Sequence, residues 1–298
     1  MRRGILAFVT GSVLFGVGAM AATPMITGPD APDAALQTTA KSASKEKIIG
    51  GVEIRPSYRG FRGSFHSENA AQLGYQFASG FKLYYKQEFN TNLYDPQLPP
   101  GAGGLNPYAY DGSLRANVGE IWSDKDRGLS LSYEARVYAP THAWKRDAGM
   151  ITMIRNYFKL KASVSPSLTL AIQEVPIAHL YTQPGYVRPK LGAEANPIFE
   201  NRVYFDIDWQ TPIKNVKLYF PFILQSTRYR DYAVKAKYND SWGQKLWVYP
   251  ELTYAINPTT QVGVAFYSDN LVKPDFSAFT IGDGLKKGVA QFIVSTSL

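Results

Sequence analysis

From Ile48 onward, apolar and polar residues alternate along this chain with a period of two. Asn69–Asn90 shows it best. Ala71, Leu73, Tyr75 and Phe77 alternate with Gln72, Gly74 and Gln76. After a Ser79-Gly80 break, Phe81, Leu83, Tyr85 and Phe89 alternate with Lys82, Tyr84, Lys86 and Glu88. A two-residue period puts the two sets on opposite faces of a β-strand. The Ser-Gly break suits a hairpin. Each strand is about ten residues long, as a tilted strand crossing a bilayer should be.

The pattern returns down the chain. Val52, Ile54 and Tyr58 oppose Glu53, Arg55, Ser57 and Arg59, and Leu114, Ala116 and Val118 oppose Arg115 and Asn117. Further apolar faces start at Leu129, Phe158, Leu168, Val203, Val216, Leu246, Val262 and Ala290. Short connections are expected near Ser79, Ser123, Ser165, Thr211 and Asn257. Long ones are expected near Asp95, His142, Gly185, Tyr232 and Phe276, with a modest one near Gly60. Short turns at one end and long loops at the other are the habit of outer-membrane barrels. The pattern predicts an all-β fold: a transmembrane antiparallel up-and-down β-barrel of about 12 strands, with about 10–14 allowed by the even-number rule and both termini periplasmic. Pro56, Pro221 and Pro250 fall inside predicted strands, where proline lacks a ladder donor, and are expected at bulges or strand ends. Alternation over Tyr229–Tyr238 allows a longer hairpin or two extra strands.

The N-terminus reads differently. Arg2 and Arg3, the short apolar core Ile5–Val17 and Ala19-Met20-Ala21 have the layout of a secretory signal peptide, residues 1–21. Residues 22–47 are rich in Ala, Ser, Thr, Pro and Lys without a period, which suits a flexible periplasmic leader. The barrel is assigned to 48–298.

Composition narrows the class. Tyr 20 and Phe 16 suit aromatic girdles at two membrane interfaces. There is no Cys, which excludes disulfides and thiol chemistry. The net charge of +8 raises nucleic acid as a partner. The basic residues are scattered at strand spacing, however, with no cluster and no recognition helix, so no nucleic acid is expected. A basic interior that attracts anions fits better.

By strand parity the lumen face carries Arg55, Arg59, Lys82, Lys86, Arg115, Arg136, Arg155, Lys159, Lys161, Arg202 and Lys217, with Tyr84, Tyr157 and Tyr204. The acids Glu53, Glu88, Glu134, Asp206, Asp208 and Glu251 and the aromatics Tyr219, Trp247 and Tyr249 share it. Basic rings or tracks lower the barrier for anions in pores, and tyrosines beside them offer stacking faces. Alternatively the charges pair and fill the interior. Two loops, Ala178–Ile198 and Thr91–Tyr110, are candidates to fold inward as constrictions. His66, His142 and His179 are expected in external loops. No nucleophile elbow, metal-ligand spacing or phosphate loop accompanies them, so no enzyme, metal or cofactor is expected.

The strand pattern over the mature region resembles that of bacterial outer-membrane porins. The strand count and inward Arg and Lys resemble the small monomeric twelve-stranded porins for acidic oligosaccharides, the oligogalacturonate type. The resemblance implies passive diffusion of small hydrophilic solutes, with acidic sugars or other anions preferred. It implies outer-membrane lipid, lipopolysaccharide and the barrel-assembly machinery as partners, the last through a terminal strand that usually ends in Phe or Trp and here ends in Leu298, with Phe292 further in. The alternatives are a closed-lumen structural or surface-binding barrel and an outer-membrane barrel hydrolase.

Overall fold

A computed structural model of the chain describes residues 46–59, 63–94, 106–188, 192–232, 241–268, Gly282 and 286–297. The signal peptide and nearly all of the leader expected at the N-terminus lie outside them. The sheet opens with β1 (Lys47–Arg59), β2 (Ser64–Gln76), β3 (Lys82–Tyr94), β4 (Asn106–Asp124) and β5 (Leu129–Ala139). A single turn of helix, α1 (Ala143–Asp147), precedes β6 (Met150–Ser165) and β7 (Leu168–Tyr181). A small separate hairpin, β8 (Gly185–Arg188) and β9 (Gly192–Ala195), leads to β10 (Pro197–Gln210) and β11 (Val216–Tyr229). The chain then runs through β12 (Trp242–Val248), β13 (Glu251–Ala255), β14 (Thr260–Tyr267) and β15 (Val289–Ser297).

Apart from the β8–β9 hairpin, neighbours around the sheet pair antiparallel, with β7 against β10, and β15 returns to pair with β1 through Ile54↔Val294. Segments β12 and β13 are two halves of one stave, both paired to β11. The result is the expected closed barrel of 12 strands. The short turns lie at one end together with Lys47 and Ser297. One of them, Phe77–Phe81, uses Gly80 at φ 85°, a conformation open to glycine at little cost.

The faces follow the alternation. Leu73, Leu114, Val137, Val164 and Val264 project outward and are exposed. Arg55, Arg115, Arg136, Arg155, Glu134 and Glu251 project inward and are buried. An apolar exterior around a polar interior inverts the soluble arrangement and is the economy of a barrel in hydrocarbon. Gly74 faces the lumen beneath Tyr84. A Cβ there would come within 2.2 Å of the Tyr84 Cβ and 2.3 Å of the Leu83 carbonyl oxygen, so the glycine lets the β3 backbone lie close.

The intrastrand prolines share one solution. Pro56 pairs with Ser67 on β2, while the ladder to β15 skips from Ile54↔Val294 to Ser57↔Gln291. Pro176 pairs with Asn201 on β10, while the ladder to β6 skips from Arg155↔Ile177 to Phe158↔Glu174. Pro221 pairs with Asp206 on β10 and faces the break between β12 and β13, where Pro250 sits. Each missing donor thus leaves a gap on one side only. Partial repair crosses the Pro250 break: Phe266 N donates to Pro250 O at 3.0 Å.

Strand ends differ from expectation. β2 starts at Ser64, because Ser67 and Asn69 face outward and hide the period; they satisfy each other at 2.7 Å. β7 continues to Tyr181 and β3 to Tyr94, shortening both candidate constriction loops. Positions 95–105 and 233–240 lie outside the described residues. Placing Arg at the outward Val203 is expected to lower unfolding stability in lipid vesicles by about 2–4 kcal/mol, whereas Arg at the inward Gln173 costs much less. Denaturant titration of the vesicle-embedded protein measures both.

Candidate functional site

Midway up the barrel, three arginines stand in line across adjacent strands. Arg115 on β4 is directly opposite Arg136 on β5, and Arg136 is directly opposite Arg155 on β6. Residues facing each other on one side of an antiparallel pair have Cβ atoms about 5 Å apart, and like charges there repel. At an effective dielectric of about 20, two unit charges that close cost about 3 kcal/mol. The row exists because neighbouring groups offset that cost.

One offset is a repeated three-residue step, Glu-x-Arg. Strand parity places both side chains on the lumen face, one rung apart. Arg55 pairs with Glu53 at 2.8 Å, and Arg136 with Glu134 and Arg202 with Glu200 form the same in-strand ion pair. On β6 a methionine takes the place of the glutamate: Arg155 Nε lies 3.4 Å from Met153 Sδ. Glu134 serves more than one neighbour, also accepting from Tyr84 Oη at 3.2 Å and Asn117 Nδ2 at 2.7 Å. Arg115 lies 3.6 Å from Glu88.

The second offset is aromatic. The Arg136 guanidinium lies 3.9 Å from the centre of the Tyr157 ring, and that of Arg155 lies 4.4 Å from Tyr138. Arg202 lies over Trp247 at 4.9 Å, Arg55 over Tyr249 at 5.7 Å and Arg115 over Tyr84 at 5.9 Å. Every one of the five has a ring face within cation–π range, which is worth about 0.5–2 kcal/mol at partly desolvated sites. Tyr157 sits within electrostatic reach of Arg136, Arg155, Arg115 and Arg202. Among the described residues, its hydroxyl and that of Tyr138 have no hydrogen-bond partner.

Other predicted lumen residues form separate groups. Lys159 reaches Asp206 at 2.5 Å, and Tyr219 donates to the same carboxylate at 2.8 Å. Lys217 pairs with Asp208 at 2.8 Å and Lys161 lies nearby, while Lys82 is near Lys47. Lys86 is buried and lines a small recess with Glu53 and Gln72. Tyr204 is buried beside Arg202. Arg59 lies 3.3 Å from His66.

The histidines correct the expectation of three external-loop residues. His66 lies on β2 and faces the lumen, 3.1 Å from Glu68. His179 lies on β7, its side chain 9% exposed, 3.7 Å from Glu200. Only His142 is in a loop, where its Nδ1 caps α1 by accepting from Trp144 N. Parity extended to the true strand ends would have found the first two, and would have added Glu68, Glu200 and Asp111 to the lumen acids.

Apolar side chains share the lumen with these charges. Val175 and Ile177 on β7, Ile223 on β11 and Ile293 on β15 point inward and have essentially no solvent exposure. They join Tyr138, Tyr157, Tyr204 and Trp247 in one buried cluster. Near the loop end, α1 adds Ala148 to this cluster and Lys145 pairs with Asp111. Asn196, beside the β8–β9 hairpin, donates to Ala148 O at 2.9 Å and Gln183 O at 3.0 Å. Tyr186 of that hairpin packs on the cluster and stacks with Trp144. Part of the Ala178–Ile198 stretch therefore folds onto the mouth.

No protein-family model matches the chain, and no curated protein matches it by sequence. Solved structures do. The NanC porin is similar over 83% of this chain and 100% of its own, with TM-score 0.50 and 12% identity. An outer-membrane channel from Pseudomonas putida F1 is similar over 84% and 95%, with TM-score 0.51 and 9% identity. The KdgM porin aligns over 83% and 97% at TM-score 0.46 and 10% identity. The chain has a porin-type barrel fold. At such low identity the likeness is one of architecture, and the site must be argued from its own side chains.

Glu134→Gln is expected to cost about 3–5 kcal/mol of unfolding stability, because it strips the buried Arg136 of its ion pair. Glu134→Gln with Arg136→Gln is expected to regain part of that loss. Unfolding in denaturant, followed by tryptophan fluorescence, reads both.

Proposed function

We propose that this protein is an outer-membrane channel of porin type that favours small anionic solutes. The Arg115–Arg136–Arg155 row carries the reading. A line of like charges on adjacent strands is costly to the fold, and its direct benefit is a positive potential along one wall of the lumen. Two buried hydroxyls without hydrogen-bond partners, on Tyr138 and Tyr157, offer donors beside it. An anion entering the row would take charge-assisted hydrogen bonds from guanidinium groups that are already oriented by Glu134 and by ring faces. The porin-like neighbours support the outer-membrane setting, as does the apolar exterior.

A second reading, a barrel whose lumen is closed at rest, has its own observation. Val175, Ile177 and Ile223 face inward yet are fully covered, which water-filled bores do not permit at that level. The hydrolase alternative has no observation of its own: His66 and His179 face the lumen, 3.1 Å from Glu68 and 3.7 Å from Glu200.

Single-channel recording in a planar bilayer under a salt gradient separates the two readings. The expected result is steady conductance with a reversal potential of anion sign. Replacing Arg115, Arg136 and Arg155 by Gln together is expected to abolish or reverse that sign. Cation preference in the parent protein would overturn the anion reading. Silence from folded protein would favour the closed lumen.

A further inference from the structure

We infer that a second copy of this chain docks in the membrane against the outer wall over β6, β7 and β10, through a polar island centred on Glu174. This rests on the membrane-spanning reading above.

Strand parity on β7 sends Ala171, Gln173, Val175 and Ile177 inward, all buried, and sends Leu170, Ile172 and Leu180 outward, all exposed. Glu174 belongs to the outward set, near the middle of its strand. An ionisable side chain on the hydrocarbon face is expensive, and such residues mark functional contacts. It is not alone. Asn201 on β10 is outward by the same parity and donates to Glu174 Oε1 at 3.2 Å. Asn156 on β6 is outward as well, and its Oδ1 accepts from Tyr133 Oη at 2.8 Å. Pro176, next to Glu174, opens the gap in the β6–β7 ladder opposite Asn156. Exposed Phe158, Ile172, Leu180, Phe199 and Phe205 surround these groups, so the polar patch is enclosed by apolar surface on both sides.

The island is incompletely satisfied by its own chain. Among the described residues, Asn201 Oδ1 is buried without a partner, and neither Asn156 Nδ2 nor Glu174 Oε2 has one. These leftovers are complementary: an amide donor on β6 and a carboxylate acceptor on β7. A two-fold axis beside Pro176 would bring Asn156 of one copy to the partner's Glu174 and the reverse, satisfying both twice with one kind of surface. Hydrocarbon supplies no competing donor, so a partner that brings one is favoured. The outward side chains of Pro176 and Ala178 are small and let two walls approach closely.

The chain has no cysteine, so one introduced thiol reports a symmetric contact. Ala178→Cys, outward beside the island, is expected to give a disulfide-linked dimer in the native membrane on mild oxidation. Val52→Cys, exposed on the far β1 wall, is expected to give none. Adding Glu174→Leu or Asn156→Leu to Ala178→Cys is expected to remove the dimer while heat-modifiable gel migration still shows a folded barrel. Absence of dimer with Ala178→Cys, equal dimer with Val52→Cys, a dimer insensitive to both leucine variants, or an adduct with a different protein would each overturn the proposal. Flotation with lipid vesicles keeps the two levels apart. Protein that floats but does not cross-link overturns only the docking, whereas protein that fails to float overturns the membrane reading and the docking with it.

Discussion

The closure of β15 onto β1 is the constraint from which everything else in this barrel follows. A strand facing hydrocarbon has no water to satisfy its amides, so each N–H must find a carbonyl in the next strand and the sheet must have no edge. Pairings such as Ile54↔Val294 supply that closure. Once the sheet is closed, every side chain has only two places to go, and a period of two in sequence becomes a difference between solvent environments. The prolines show how strictly the constraint is met. Pro56, Pro176 and Pro221 each keep full register with one neighbour and give up rungs with the other. The wall bends or opens locally, and the ring stays intact.

The same geometry explains which parts of the molecule were readable in advance. Strand faces follow from parity alone, so Arg55, Arg115, Arg136, Arg155 and Arg202 were assignable to the lumen without coordinates, and their burial agrees. Strand ends were harder. Outward positions need not be apolar where polar side chains satisfy each other, so Ser67 and Asn69 on β2 broke the pattern and left His66 looking like a loop residue. Partners were harder still. Parity says that Arg136 faces inward, but the alignment of Arg115, Arg136 and Arg155 depends on register, which the turn lengths and the β4 bulges decide. The Glu-x-Arg step was visible as spacing in Glu53-Arg55, Glu134-Arg136 and Glu200-Arg202. Its meaning emerges only when strands place one such pair next to another.

Register also decides where charged and apolar groups meet inside the barrel. Strands β4, β5 and β6 contribute arginine at the shared level, β7 sets Ile177 opposite Arg155, and β11 sets Ile223 opposite Tyr204 of β10, the strand that carries Glu200 and Arg202. The apolar side chains are covered together with Tyr138 and Tyr157. The same two tyrosines offer their ring faces to Arg155 and Arg136. The aromatic rings therefore form the seam between charged and apolar groups: one face suits a cation, and the edge suits Val175 and Ile177.

That seam bears on how a solute would pass. A guanidinium held by a ring and a carboxylate has lost much of its rotamer freedom already, so binding an anion costs little further ordering. The ion pair with Glu134 is what an anion must compete with, and on β6 methionine stands where the glutamate would be. A thioether is a weak acceptor beside a carboxylate. Along the row, an arriving anion thus meets its weakest in-strand competitor at Arg155, next to the bare hydroxyls of Tyr138 and Tyr157. Substituting Glu for Met153 would give Arg155 the in-strand carboxylate that Arg55, Arg136 and Arg202 have, adding a negative charge within the arginine row. By Coulomb's law that change lowers the attraction for anions more than the loss of an outlying lysine such as Lys82.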